Sequence, residues 1–271
     1  METATNFSAK DVMKLREKTG LGMMDCKEAL ATNGGDPAKA EEWLKAKLKG
    51  KMDTRTERTT AEGRVGVMIK GSDAAIVEVQ TETDFTARNP EFAAMVQDVL
   101  TAVLKQPAGE VQADAAMTKR VDDVRIKTGE NMRFVRGEHL QGGSFGSYVH
   151  HDGKRGAIVQ VEGGAVDADT LSGICMHIVA HVPPPVAVSA EDMPAAELEN
   201  VRQAGVAEAK ESGKPEDIAK KIAEGKVRKY LEENTLLNQM YVKDPSGKKS
   251  VKDVLPKGVK IVKFVRYTLG G

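Results

Sequence analysis

The chain has 271 residues, enough for one large domain or for two to three small ones. Lysine and arginine together number 40, and aspartate and glutamate together also number 40, so the formal net charge is zero. A neutral chain argues against general binding to nucleic acid, which needs a basic face to neutralise phosphates. The 2 cysteines imply no disulfide framework, and the sequence has neither an apolar signal-peptide core nor an apolar run of about 18 residues. A cytoplasmic protein is therefore expected.

Residues 1–50 are predicted to form a compact module of three helices. Residues that cap or break helices divide this stretch: Ser8, Thr19-Gly20-Leu21-Gly22, Asn33-Gly34-Gly35 and Asp36-Pro37. In the second helix, Met24 and Leu30 are expected to face inward, and Met23, which must then point elsewhere, is the better candidate for contact with a partner. Helices this short are stable only when they pack on one another.

The polar segment 51–62 is predicted as a linker that lets the N-terminal module move, because it shows no apolar period. Residues 63–140 follow as the first core subdomain, which opens with a hairpin signal of two β-branched runs around a glycine-containing turn. Its predicted strands and helices are Val65–Ile69, Ala75–Val79, an amphipathic helix from Pro90, a helix over about Asp114–Gly129 and a strand over Asn131–Arg136.

The stretch Thr83-Asp84-Phe85-Thr86-Ala87 connects the second strand to the helix from Pro90. Asn89 and Pro90 are a natural N-cap and first helical residue. A connection held by ordered elements on both sides can present a side chain rigidly to a partner. From the spacing alone, the alternative stays open that Phe85 packs into its own core and that Asp84 begins a turn.

Residues 141–271 are predicted as a second core subdomain with the same plan. Ala157-Ile158-Val159-Gln160-Val161 mirrors Ala75-Ile76-Val77-Glu78-Val79, and a helix over about Asp169–His181 follows. The repeat predicts two related α+β subdomains, each a small antiparallel sheet covered by helices. Further strands are predicted at Gln239–Val242 and Ile261–Tyr267.

An antiparallel helical hairpin over residues 194–232 is predicted as an insertion in the second subdomain. Ser212-Gly213-Lys214-Pro215 forms its turn, with glycine after one helix and proline at the start of the next. The many small residues of this hairpin allow a close approach of its two helices.

No set of residues suited to covalent chemistry or to a cofactor is evident. A phosphate-binding loop and a nucleophile elbow are missing, and the cysteines lack zinc spacing. Cys26 as a catalytic thiol has no histidine near it in the sequence. His177 and His181 have the i, i+4 spacing of metal ligands, but no third ligand is evident. A packed histidine and a contact with a partner are the other interpretations of His177.

Several of these stretches resemble the elongation factor Ts family, the nucleotide-exchange factors of the GTPase elongation factor Tu. Residues 15–30, Leu-Arg-Glu-Lys-Thr-Gly-Leu-Gly-Met-Met-Asp-Cys-Lys-Glu-Ala-Leu, closely resemble the start of that family, and residues 83–87 resemble its Thr-Asp-Phe-Val-Ala signature. Further similar stretches are Gly129-Glu130-Asn131-Met132, Met176-His177-Ile178-Val179-Ala180, Ser212-Gly213-Lys214-Pro215 and Phe264-Val265-Arg266-Tyr267. The resemblance covers nearly the whole chain.

For the fold, the resemblance implies an α+β architecture with a ubiquitin-associated-like N-terminal module that docks on the GTPase domain. The residues it implicates in that docking are Lys14, Leu15, Arg16, Met23 and Met24. It implies that Thr83, Asp84, Phe85, Thr86 and Ala87 dislodge the magnesium ion bound by the GTPase, with Phe85 entering an apolar crevice, and that His177 contacts the GTPase near its phosphate-binding loop.

For the function, the resemblance implies an exchange factor that promotes GDP release from elongation factor Tu during polypeptide elongation, without covalent chemistry or a cofactor. The expected partner is elongation factor Tu in its GDP-bound and nucleotide-free states, with no direct contact to nucleic acid or membrane. Two departures from the family pattern are Ile178-Val179-Ala180, where Val-Ala-Ala is usual, and the stop at Gly271, where some relatives continue into a further helix. A rival hypothesis is an adaptor that binds the ribosome or a ubiquitin-like protein through residues 1–55 alone; a small-molecule enzyme is a third.

Overall fold

The computed structural model of the chain describes residues 6–271. Within this range helices and small antiparallel sheets combine, which confirms the predicted α+β class. The helices are α1 (Ala9–Thr19), α2 (Met23–Thr32), α3 (Pro37–Asp53), α4 (Asp84–Arg88), α5 (Pro90–Val103), α6 (Ala115–Thr128), α7 (Ala168–Ala180), α8 (Ala195–Glu211), α9 (Glu216–Asn234) and α10 (Val251–Val254). The strands are β1 (Glu62–Lys70), β2 (Asp73–Thr81), β3 (Gly109–Val111), β4 (Met132–Gln141), β5 (Ser144–Val149), β6 (Arg155–Glu162) and β7 (Lys260–Thr268).

Helices α1 to α3 enclose one apolar core, to which Leu15, Cys26 and Leu30 contribute. Met24 was predicted to face inward, and this prediction is wrong, because its side chain is 74% exposed. The inward face of α2 carries Cys26, Ala29 and Leu30. Met24 lies two positions before Cys26, and residues two apart point to different sides of a helix.

The N-terminal module docks on α6 of the first subdomain. Arg125 of α6 donates a hydrogen bond from its guanidinium to the carbonyl oxygen of Met52 at 3.2 Å, and Lys49 pairs with Asp122 at 3.0 Å. Ile126 joins the apolar core of the module. Helix α3 runs on to Asp53, into the segment predicted as a linker, and this extension supplies the carbonyl group that Arg125 binds.

The two sheets pack face to face and each has helices on its outer face. Their strand orders are β1-β2-β4-β3 and β5-β6-β7, and all pairs are antiparallel. Successive side chains along each strand point to opposite faces of its sheet. In β2, Ile76 points to the core between the sheets, whereas Val77 and Val79 pack under α5 and α6. In β6, Ile158 meets the same central core and Val159 packs under α7.

The hairpin of α8 and α9 lies in the second subdomain, and its helices pack chiefly on each other. Gly205 allows this approach: a Cβ atom there would lie 3.0 Å from the Cα of Ala223. The strand predicted at Gln239–Val242 is wrong; within it only Met240 forms an isolated bridge, to Ser250. The reason is that Gln239 is buried and its side chain is held by groups outside any sheet.

Candidate functional site

The connection after β2 forms a single helical turn, α4, between two caps. The hydroxyl of Thr83, the N-cap of α4, accepts a hydrogen bond from the amide of Thr86 at 3.3 Å. Asn89 ends α4 and also caps α5, where its side chain accepts from the amide of Glu91 at 2.8 Å, with Pro90 in the first turn. The sequence signal of Asn89 and Pro90 is thus confirmed, whereas α4 itself was not predicted.

Phe85 is 84% exposed on this turn. Every other aromatic side chain of the protein is at least partly buried. The neighbouring residues Thr86 and Ala87 are buried and hold the turn to the body of the protein. The alternative that Phe85 packs into its own core is therefore wrong for this chain. A single exposed phenylalanine on a well-packed turn is a candidate anchor for a partner protein, because buried aromatics supply much of the binding energy at interfaces.

Asp84 lies beside the ring at the start of α4. Its carboxylate is partly exposed and pairs with Arg88 one turn later at 3.3 Å. Exposed pairs of this kind stabilise a protein by less than about 1 kcal/mol. The carboxylate of Asp84 is thus available to polar groups of a partner at little cost.

Of the residues of the N-terminal module that are predicted to dock on the GTPase, some lie on its surface and one lies in its core. Lys14 and Arg16 are exposed, and Met23 is 40% exposed beside Met24. Leu15, in contrast, is only 3% exposed and packs in the module core, so it supports the surface without forming it.

Met13 is a further exposed methionine, at 52%, that the sequence analysis did not single out. Its position next to buried Val12 in α1 is the signal that could have found it, because neighbouring helical residues point in different directions. Methionine is common on binding surfaces because its flexible side chain adapts to a partner.

His177 is fully buried near the end of α7, so the structure does not place its ring at a surface. Its Nδ1 accepts from the amide of Val242 at 3.2 Å, and its Nε2 therefore carries the proton and donates to the Oε1 of Gln239 at 3.0 Å. Burial, together with a smaller effect of the nearby His181, lowers the pKa of His177 to about 4, although the hydrogen bond to Gln239 acts in the opposite direction. The imidazole is neutral at physiological pH. Its predicted contact with a partner stays a prediction.

Residues beside His177 do reach the surface. Val182 is 87% exposed just after α7, and Met240 is 46% exposed next to Gln239. The side-chain amide of Gln239 donates to the carbonyl oxygens of Pro183 at 3.1 Å and of Glu233, at the end of α9, at 2.7 Å. The buried histidine is thus the centre of a hydrogen-bonded network that fixes an exposed apolar region between α7 and the hairpin.

Other kinds of site find little support in the described residues. Residues 6–271 contain no cluster of three or more side chains suited to holding a metal ion. The same range contains no helix long and apolar enough to cross a membrane. Cys26 and Cys175 are buried, and burial raises the pKa of both thiols, that of Cys175 to about 12. Neither thiol has the exposure or the low pKa of a reactive cysteine.

Fold and surface together define an α+β protein that offers one exposed aromatic side chain from a rigid turn. A family model described as Elongation factor TS matches residues 82–271. A protein of Paracidovorax citrulli named Elongation factor Ts is 39% identical over 277 residues, which cover 97% of this chain and 91% of that protein. A protein of Bartonella bacilliformis with the same name is 36% identical over 289 residues, which cover 98% and 93%.

The chain belongs to the elongation factor Ts family, which confirms the resemblance found in its motifs. Membership of this family implies the role of a nucleotide-exchange factor in translation, which acts by binding and not by covalent catalysis.

Proposed function

We propose that this protein is a guanine-nucleotide exchange factor for elongation factor Tu and that it acts in the cytoplasm by competition between conformations of the GTPase. The observation that carries the proposal is the exposed ring of Phe85 on the turn α4. The partner is bound in its GDP-bound and nucleotide-free states, with no direct part for nucleic acid or membrane.

In this proposal the segment Thr83–Ala87 acts on the magnesium site of the GTPase. Phe85 enters an apolar crevice between helices of the partner, while Asp84 perturbs the polar groups around the bound magnesium. Thr86 and Ala87 remain buried and hold the turn in place. Once magnesium is displaced, the charge of the diphosphate is poorly compensated, so GDP leaves faster.

Two further surfaces hold the GTPase while this happens. In the N-terminal module, Lys14, Arg16, Met23 and Met24 contact the partner, and Leu15 keeps α1 in position from the core. In the second subdomain the end of α7 disturbs the phosphate-binding loop.

At this second surface His177 acts from within. Its hydrogen bonds to Gln239 and Val242 set the position of the exposed residues around it. Because the ring is neutral and buried, its part in the proposal is to place those neighbours.

The energies set a limit on what one residue can do. Loosening GDP a thousandfold at equilibrium needs about 4 kcal/mol of differential binding. Burying the Phe85 ring contributes about 2–3 kcal/mol, so the other contacts must supply the rest. Linkage also requires that GDP weaken binding of this protein as much as this protein weakens binding of GDP.

The test is the release of a fluorescent GDP analogue from elongation factor Tu in a stopped-flow instrument. Phe85→Ala and Asp84→Ala should each slow the release catalysed by this protein while leaving its far-ultraviolet circular dichroism unchanged. Thr101→Ala, at an exposed position on α5, is the matched control, and it should promote GDP release from elongation factor Tu as fast as the unsubstituted chain does. Unchanged release with both Phe85→Ala and Asp84→Ala refutes the proposal.

A further inference from the structure

The carboxylate of Glu130 lies against the residues that lead into α4. Its Oε2 accepts hydrogen bonds from the hydroxyl of Thr81 at 3.0 Å and from the amide of Thr83 at 3.1 Å. Its Oε1 accepts from the hydroxyl of Thr83 at 2.7 Å. One side chain from the α6–β4 connection thus holds three donors of a segment that is distant in the sequence.

The hydroxyl of Thr83 links Glu130 to α4. A threonine hydroxyl has one hydrogen to donate and two lone pairs to accept with. The hydrogen goes to Glu130, so the oxygen is left facing the helix, where it accepts from the amide of Thr86. Without Glu130 the hydroxyl needs another acceptor, and the rotamer that caps α4 is no longer selected.

Further contacts fix both the carboxylate and the far end of the turn. Burial raises the pKa of Glu130, but the hydrogen bonds that it accepts from Thr83 and Thr81 outweigh this effect and hold the pKa below its usual range, so the group is ionised at neutral pH. At the other end of α4, the Nε of Arg64 donates to the carbonyl oxygen of Ala87 at 2.6 Å. Phe85 therefore projects from a turn that is held at both ends.

We infer that Glu130 is a positioning residue for Phe85: its carboxylate fixes Thr83 and, through that cap, the direction in which the ring meets the GTPase. The inference rests on the proposed function and assigns a new residue to it. A ring ordered before binding loses less conformational entropy when it enters the partner. Glu130 itself need not touch the partner for this effect.

A double-mutant cycle on GDP release from elongation factor Tu tests the inference. Glu130→Ala should slow release by about 10-fold in the otherwise unsubstituted chain, because the free-energy cost of ordering one side chain on binding corresponds to a factor of up to about 10 in affinity. In a Phe85→Ala background the same substitution should change release less than about 2-fold, because its effect passes through the ring. Thr83→Val, which removes the hydroxyl that Glu130 holds, should behave like Glu130→Ala. Equal losses from Glu130→Ala in both backgrounds, or no loss in either, overturn the inference.

A second measurement needs no GTPase and separates this inference from the proposed function. Cys26 and Cys175 are buried, so a nitroxide label attaches selectively at Phe85→Cys. Electron paramagnetic resonance should show a slow label in the free chain and a faster one when Glu130→Ala is added. Unchanged mobility overturns the inference even if Phe85 acts in exchange. If Phe85→Ala and Asp84→Ala both leave GDP release unchanged, the proposed function fails, and the label still decides the role of Glu130.

Discussion

Two phenylalanines on either side of Asn89 should respond in opposite ways to substitution by alanine. Phe85 is 84% exposed, whereas Phe92 is fully buried in the core between the first sheet, α5 and α6. Phe92→Ala removes a ring from close-packed surroundings, and such changes cost about 3–5 kcal/mol. Phe85→Ala removes no internal contact of that kind, so its effect on the free energy of unfolding should stay within about 0.5 kcal/mol.

The effect on exchange should be reversed. If the exposed ring gains about 2–3 kcal/mol on entering the GTPase, its removal lowers the rate at limiting concentration by about 30- to 150-fold. Phe92→Ala should keep its activity per folded molecule, because its side chain lies away from the surface. Urea unfolding followed by circular dichroism, together with GDP release under conditions where each variant is folded, measures both quantities. A loss of more than about 1 kcal/mol in stability for Phe85→Ala contradicts the reasoning, as does full exchange activity in that variant.

Two other predictions concern the second subdomain. The folded-state pKa of His177 is about 4 against an ordinary value of 6.5, so between these values the unfolded chain binds a proton that the folded chain does not. Stability should therefore fall as the pH is lowered through this window, by about 3 kcal/mol at most, and nuclear magnetic resonance should place the ring titration near pH 4; a midpoint near 6.5 contradicts the burial argument. In the hairpin, Gly225→Ala meets nothing within 4 Å and should stabilise α9 by up to about 1 kcal/mol, whereas Gly205→Leu should push the helices apart at Ala223. Thermal unfolding of both variants tests these two predictions. Equal shifts in the midpoint of unfolding refute the close approach of α8 and α9 at Gly205.

Signals that depend on neighbouring residues allowed much of the fold to be predicted. Ser8 forms the expected cap of α1, and Asp36 accepts from the first amides of α3. Gly129, in the left-handed conformation at φ 73°, ends α6 where the sequence places the end of a helix. These contacts span a few residues, so their pattern is visible in the sequence itself.

Features that depend on distant residues were missed or misplaced. Met24 was assigned to the core because it is apolar, but the packing of α2 on α3 selects another face. Gln239 lies in a strand-like run, yet its side chain serves His177. Glu130 carried no signal of its role beyond its resemblance to a family segment, because the residues it binds lie in the connection after β2. The exposure of Phe85 likewise depends on which surfaces the rest of the chain covers.

The most direct test asks whether residue 85 becomes buried when the GTPase binds. Because Cys26 and Cys175 are buried, Phe85→Cys provides a single accessible thiol, and its reaction with a maleimide can be followed by mass spectrometry. Val262→Cys on β7, 48% exposed in the parent chain, is the matched control. Saturating nucleotide-free elongation factor Tu should slow the reaction of the thiol at position 85 with the maleimide at least about 10-fold, while the control thiol stays reactive. Excess GDP should remove this protection, because GDP and this protein weaken each other's binding. If position 85 reacts equally fast with and without the GTPase, the ring does not enter the partner and the account of exchange is wrong.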